Sequence, residues 1–439
     1  MLKIKTIERR QNQLLFVFLI LCSVLFTDNY FLIYVIFSLF LLSLLLFQNN
    51  VVVKLFALFF IFYYVIPLPN ISTYRGTISI ITLKFYTLMM LVAILPLITK
   101  INIRKKGGDI SYKAIRIGLI FNIVALAHLF VVYSTMLIVL FTIGNIFINQ
   151  ELRLYLSPIV GYLLKSSIYI TFFFFFLPQG SRGKLSSILI FIVLPIIPSI
   201  FIGSRGVAIL AIMGLVLLAI VKTFDKGEDY YLNLKNDWKK YLPLARYAAF
   251  IIFALLQGVY YIRRYNSSNL ISAKELAIEY FGSNEWYTYL IMPLHFTFRE
   301  ITGLTNTIIE KNLENPISSP LFIAELITVL PGEQPAPGRV LGSIVGTTLD
   351  GGLTPGILGA LYMDYKWFSL FIILLFMVFI QFLRKKSLYS DFYKILFCLT
   401  LVQFLHLFHR GFIKPEYIVA YLVVIGYFLV SKIKLGKLD

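Results

Sequence analysis

The sequence predicts an all-α polytopic membrane protein. Three observations predict it: an excess of apolar residues, the length of the unbroken apolar runs, and the alternation of basic residues between successive connections. Of 439 residues, 59% are hydrophobic and 14% charged, with a mean hydropathy of +0.84. A water-soluble domain carries roughly 45–50% apolar and about 25% charged residues, so this excess has no place in a soluble particle. Runs such as 14–26, 30–47 and 368–382 are apolar on every side, the pattern of helices surrounded by lipid and by other helices. Strand-like alternation is missing, and a bilayer admits only helices or closed barrels.

Hydropathy places about 12 transmembrane helices near 13–27, 30–48, 51–67, 78–98, 117–142, 157–177, 186–203, 206–222, 243–262, 366–383, 391–409 and 415–432. The first follows Lys3, Lys5, Arg9 and Arg10, and no small-x-small cleavage pattern comes after it. It therefore reads as a membrane helix rather than a removable signal. The seventh and eighth meet in a tight turn at Gly203-Ser204-Arg205-Gly206.

Lysine and arginine set the orientation. With the N-terminus cytoplasmic, the cytoplasmic segments hold most of the 40 basic residues, among them Arg104, Lys105, Lys106, Lys239, Lys240, Arg384, Lys385 and Lys386. The short outer loops hold only Arg75, Arg153, Arg205, Arg410 and Lys414. Both termini are then cytoplasmic. Residues 1–262 carry helices one to nine, 263–365 form a long extracytoplasmic loop, and 366–439 carry the last three helices. A loop of roughly 100 residues exceeds any ordinary connection and is expected to carry function.

That loop has local order. Ser272-Ala273-Lys274-Glu275 is a capping box opening a helix. Ser319-Pro320 starts an apolar stretch, 321–330, that Pro331-Gly332 stops; it is too short to cross a bilayer and is expected to lie in the interface, re-enter partway or pack against the bundle. Residues 338–356 hold six glycines in nineteen positions, which let backbone N–H groups approach a ligand, the alternative being a flexible surface loop. Thr354-Pro355 can cap a helix over 356–364 whose N-terminus favours an anion.

The net charge of +19 does not point to nucleic acid, since no basic polar domain exists to hold it. Cys22 and Cys398 both fall in expected helices and support neither a disulfide framework nor a metal site. Arginines gather at the expected outer boundary: Arg205 in its glycine turn, Arg263 and Arg264 at the end of helix nine, Arg299 in the loop, Arg339 in the glycine stretch and Arg410 ending helix eleven. A guanidinium grips phosphate oxygens two at a time, and a lipid-linked diphosphate is a suitable partner; snorkelling to lipid phosphate is the plainer reading. Groups able to take a proton are Glu300, Glu325, Asp350, Asp364, His295, His406 and His409. His406 and His409 share a helix face, without an evident third metal ligand. His128 is expected to satisfy a helix–helix hydrogen bond. No Asp-x-Asp, Gly-x-Ser-x-Gly or His-Glu-x-x-His motif is present.

Three pieces in this order carry a resemblance: Gly203-Ser204-Arg205-Gly206 heading a membrane helix, Gly351-Gly352-Leu353-Thr354-Pro355-Gly356-Ile357-Leu358-Gly359-Ala360-Leu361-Tyr362 before a late helix, and His409-Arg410-Gly411 closing the penultimate one. Over about half of the chain, 201–412, it resembles the O-antigen polymerases (Wzy-type), the oligosaccharide repeat-unit polymerases. Ala360 departs from that pattern, where an acidic residue is frequent; Asp364 lies close by.

The resemblance implies a GT-C-like membrane glycosyltransferase. A growing glycan on polyprenyl diphosphate is the donor, and a hydroxyl of a new lipid-linked repeat unit attacks its anomeric carbon. It implies no cofactor and no metal, partners that are lipid-linked oligosaccharide, membrane lipid and a chain-length regulator protein, and a cytoplasmic (inner) membrane location with the site facing outward. Arg205, Arg339 and Arg410, with Arg299, Arg263 and Arg264, would hold the diphosphate. Glu300, Asp350 or His409 would accept the proton. The rival readings are an O-antigen ligase and a flippase or transporter for the same lipid. The latter is kept open by the mid-span Lys84 and Lys165.

Overall fold

A computed structural model describes residues 15–48, 51–98, 114–146, 152, 155–176, 189–202, 214, 217, 257, 261, 272–327, 337–345, 353–387 and 390–431. Among these residues all regular structure is helical. The elements are α1 (Leu15–Phe26), α2 (Tyr30–Phe47), α3 (Val51–Phe60), α4 (Ile80–Ile98), α5 (Ala114–Thr142), α6 (Pro158–Ser166), α7 (Leu194–Phe201), α8 (Ala273–Phe281), α9 (Trp286–Glu310), α10 (Leu321–Ile327), α11 (Pro337–Val345), α12 (Gly356–Tyr365), α13 (Ser369–Ser387), α14 (Asp391–Arg410) and α15 (Pro415–Ser431).

Among the described residues, five stretches are long and apolar enough to cross a membrane: Tyr30–Phe47, Ile80–Ile98, Phe121–Thr142, Gly356–Ser387 and Phe392–Arg410. Shorter apolar helices accompany them, including Leu15–Phe26, Val52–Val65 and Pro415–Val430. Phe130 and Phe141 are 74% and 84% exposed, a surface suited to lipid rather than water. The chain is a helical membrane protein. Expected helices eight and nine lie almost wholly outside the described residues.

Local chemistry sets the helix ends. Asn29 caps α2, its side chain accepting from Leu32 N at 3.0 Å. The α3 helix widens into a π turn over Ile61–Val65. The apolar stretch shared by α12 and α13 breaks at Lys366, whose φ is +50°. Gly411, at φ +81°, ends α14, and Pro415 opens α15, where a missing N–H leaves no helical bond unmade.

Helix α13 packs against α4 and α14, and α9 against α12 and α4. Aromatic rings fill the centre: Phe37 lies 4.7 Å from Tyr64, and Phe60 lies 5.1 Å from Phe408. Because lipid is as apolar as these rings, close packing rather than transfer out of water holds such helices together.

The segment after 263 is more built than a loop of short pieces. The capping box forms: Ser272 Oγ accepts from Glu275 N at 3.2 Å, Glu275 Oε2 accepts from Ser272 N at 2.9 Å, and Gly282 at φ +63° ends α8. The apolar stretch after Pro320 is α10, and residues 337–345, expected as glycine-rich loop, form helix α11. Sequence reasoning missed the 25-residue α9. Its apolar pattern is interrupted by Pro293, His295, Arg299, Glu300 and Asn306, and hydropathy passes over it. Those groups are tolerated because partners meet them. Asn306 Oδ1 accepts from Ser79 N at 2.9 Å and from Thr82 Oγ1 at 2.7 Å. Tyr86 donates to Thr305 Oγ1 at 3.2 Å, and Thr305 donates to Pro355 O at 2.9 Å. Helix α9 thus ties the start of α4 to the start of α12.

Candidate functional site

One end of the bundle gathers the connections at 27–29, 66–79, 353–355 and 411–414. Tyr30 donates to Leu68 O at 2.5 Å, α9 bridges Ser79 to Pro355 as described, and Gly356 meets Gly411. A Cβ on Gly411 would lie 2.7 Å from Gly356 O, and one on Gly356 would lie 2.5 Å from Phe408 O. Both glycines have positive φ, which a side chain would strain in addition. The last turn of α14 and the first of α12 therefore touch main chain to main chain, with opposite dipole ends together. This corrects two expectations. The α12 N-terminus is buried against α14 rather than open to an anion, and Pro355, not Thr354, stands at its cap position, without a side-chain cap bond.

Two of the expected arginines flank this joint. Leu353 N donates to Gly338 O at 3.0 Å, so the first turn of α11 lies beside the segment entering α12. Arg339 follows Gly338, and Arg410 precedes Gly411. Both are exposed, and among the described residues neither has an ion-pair partner. His409 is half-buried beside Arg410. Unlike Arg299, the other expected diphosphate ligand in the described residues, these two guanidiniums have no hydrogen-bond partner among the described residues.

Around them other charges are matched. Lys165 Nζ meets Glu416 Oε1 at 2.6 Å, with side chains 8% and 9% exposed, and Lys414 Nζ meets Glu325 Oε1 at 3.1 Å. Tyr169 donates to Glu416 O at 3.2 Å, His406 Nδ1 pairs with the Tyr417 hydroxyl, and Ile413 N donates to Phe322 O at 2.7 Å. These contacts bind α6, α10, α14 and α15 into one wall. The two mid-span lysines are both answered, Lys165 by Glu416 and Lys84 by Asp28 at 2.7 Å. His128 Nε2 meets Ser166 Oγ at 2.8 Å between α5 and α6.

A second cluster holds the strap 66–79 onto α9. Arg299 is fully buried. Its Nε donates to Tyr74 O at 3.2 Å, Nη1 to Pro67 O and to Leu68 O at 3.4 Å, and Nη2 to Asn70 Oδ1 at 2.9 Å and Gly76 O at 2.5 Å. The expectation that Arg299 binds diphosphate is corrected: all its donors are spent on the strap. Burial pulls its pKa down to about 10, which leaves it charged at neutral pH.

Glu300 is likewise engaged. It pairs with Arg75, whose Nε lies 2.8 Å from Oε2, and accepts from Tyr74 at 2.5 Å. Burial works to lower the Arg75 guanidinium, and the Glu300 carboxylate overrides it, holding Arg75 above its ordinary value. His295 Nε2 meets Ser72 Oγ at 2.7 Å and Nδ1 meets Ile66 O at 3.3 Å. Burial, helped by the Arg299 charge, pushes its pKa down to about 4. The Arg75 partner was missed in the sequence; the one local signal is Gly303, whose bare Cα lets the Arg75 side chain lie on α9.

Arg205, Arg263, Arg264 and Asp350 lie outside the described residues. Among the described residues no three His, Cys, Asp or Glu side chains gather as a metal site would require. No protein-family model, curated protein or solved structure matches this chain.

Proposed function

We propose that this chain polymerises a cell-surface polysaccharide, an O-antigen, capsule or exopolysaccharide, moving a growing glycan from polyprenyl diphosphate onto a new lipid-linked repeat unit. The observation that carries this reading is a pair of arginines unmatched among the described residues, Arg410 next to Gly411 of the joint and Arg339 next to Gly338, which bonds to Leu353 at the entry to α12. In the proposed topology, about 12 spans with both termini cytoplasmic, this end faces outward. Support comes from Arg384, Lys385 and Lys386, which crowd the last turn of α13 at the opposite end.

In the reaction the acceptor hydroxyl oxygen bonds to the donor's anomeric carbon while the bond from that carbon to the diphosphate oxygen breaks. The diphosphate leaves with the electron pair. Arg339 and Arg410 bind its oxygens and stabilise the growing negative charge. His409, beside Arg410, takes the hydroxyl proton, and Asp350, in the segment between α11 and α12, is the other acceptor. The matched ion pairs nearby hold the wall without adding charge.

Substituting Arg339→Ala and Arg410→Ala tests this. Each is expected to cut polymer formation by about 10²–10³-fold, the range for losing one donor to developing charge, with protein level unchanged. Unaltered glycan chain length in both variants refutes the reading. Polymer stranded on its carrier lipid, in place of single repeat units, indicates a ligase instead.

A further inference from the structure

We infer that a polar cleft at the far end of α12 binds a sugar ring of the lipid-linked glycan, an inference resting on the proposed glycan transfer. The cleft, about 370 Å³, lies between the 311–320 connection and the break separating α12 from α13, with Asn315, Ser318, Ser319, Asp364, Tyr365 and Lys366 in its lining.

Its groups are arranged to receive hydroxyls. The buried Ser319 Oγ has no hydrogen-bond partner among the described residues, and a buried hydroxyl left unmatched calls for a partner. Asp364 Oδ1 accepts from Asn315 Nδ2 at 2.7 Å, and Oδ2 accepts from Phe322 N at 3.3 Å. The Leu321 backbone also bonds to this carboxylate, and of about four lone-pair positions one is left to accept from a ligand. Lys366 Nζ donates to Leu313 O at 2.9 Å, using one of its three N–H bonds. The Lys366 backbone is held at φ +50°, a conformation uncommon for a lysine that clusters where ligands are clamped.

Charge selects the ligand class. Glu314 and Asp364 against Lys366 leave the lining net negative, opposite in sign to Arg339 and Arg410. A phosphate is repelled here, and a neutral polyhydroxyl ligand is not. The half-buried Tyr365 offers a ring face, and Trp367 beside it is 44% exposed, the position of an aromatic anchor at a membrane interface. The cleft and the arginines share their framework. Helix α12, ten residues and so roughly 15 Å long, runs from the Gly356 joint to the cleft. Phe322 of α10 donates from N to Asp364 and accepts at O from Ile413. A glycan with its diphosphate at one end of α12 has sugars at the other.

The test is saturation-transfer NMR on the full-length protein in nanodiscs. The probes are the methyl glycosides of glucose, galactose, rhamnose and N-acetylglucosamine, with glycerol 3-phosphate standing for a lipid headgroup. At least one glycoside is expected to bind. Binding should weaken by about tenfold or more, a loss of roughly 1.4 kcal/mol, in Asp364→Asn and in Ser318→Trp. Ser318 is exposed at the rim, so the indole fills the cleft without displacing an internal bond. Absence of any glycoside signal, glycoside binding unchanged in Ser318→Trp, or glycerol phosphate displacing every glycoside overturns the inference. Arg410→Ala should keep glycoside binding. If the arginine variants leave polymer length unaltered while Ser318→Trp abolishes glycoside binding, the cleft stands and the polymerase reading falls.

Discussion

Replacing Arg299 by alanine removes a guanidinium that holds the strap 66–79 to α9. Four well-formed bonds go with it, to Pro67 O, Asn70 Oδ1, Tyr74 O and Gly76 O, together with a weaker one to Leu68 O. A hydrogen bond to a charged group contributes about 1.5–3 kcal/mol net, which bounds the four at roughly 6–12 kcal/mol. The strap lies at an end of the bundle and can relax and admit water, so about half, roughly 3–6 kcal/mol, is the expected loss. Against a total stability of about 5–15 kcal/mol this is a large share. Arg299→Lys keeps the charge and offers three donors without the planar fork, so about 2–4 kcal/mol is expected to be lost. Thermal unfolding of the full-length protein in detergent, with its abundance in membranes, reads the effect. The expected order of stability is wild type, then lysine, then alanine. An alanine variant that melts and accumulates like wild type refutes the assignment. If that variant also makes no polymer, Arg299 is a substrate contact after all.

The buried Lys165–Glu416 pair should behave as a unit. Lys165→Met alone is expected to destabilise by about 3–5 kcal/mol, since it strands a buried carboxylate, whereas Lys165→Met with Glu416→Leu should recover most of that. Additive losses in a double-mutant melting cycle would show that the two do not interact. His295 gives a pH dependence. Its pKa is about 4 in the folded protein against an ordinary 6.5, so between these values the unfolded chain binds the extra proton. Its contribution is whole above about pH 6.5 and is lost as pH falls toward 4, by at most about 3 kcal/mol. Melting temperatures across that window should fall less steeply in His295→Gln; identical slopes would contradict this.

Much of the fold was legible because apolar runs need no distant partner to declare themselves. The helices α2, α4, α13 and α14 follow from hydropathy, and α8 from Ser272 and Glu275, which cap each other within one turn. Helix α9 was not legible. Its polar residues are answered by Pro67 to Tyr86, more than two hundred positions earlier, and a window along the chain cannot see that. The same holds for the arginines. Arg299 and Arg410 look alike in sequence, each beside an apolar run, and only their surroundings separate a buried staple from an open donor. Lys165 looked like a lone intramembrane charge because Glu416 stands 251 positions away.

The Gly356–Gly411 joint acts as a fixed gauge. No rotamer can lengthen or shorten a meeting of two main chains, so the spacing of the first turn of α12 from the last turn of α14, which carries Arg410, is fixed by backbone contact. Substitutions in the cleft at the other end of α12 can then be made while the meeting of Gly356 and Gly411 stays the same. In the proposed reaction, the cleft and the joint would then answer for different things, the one for the sugar and the other for how α12 and α14 are held.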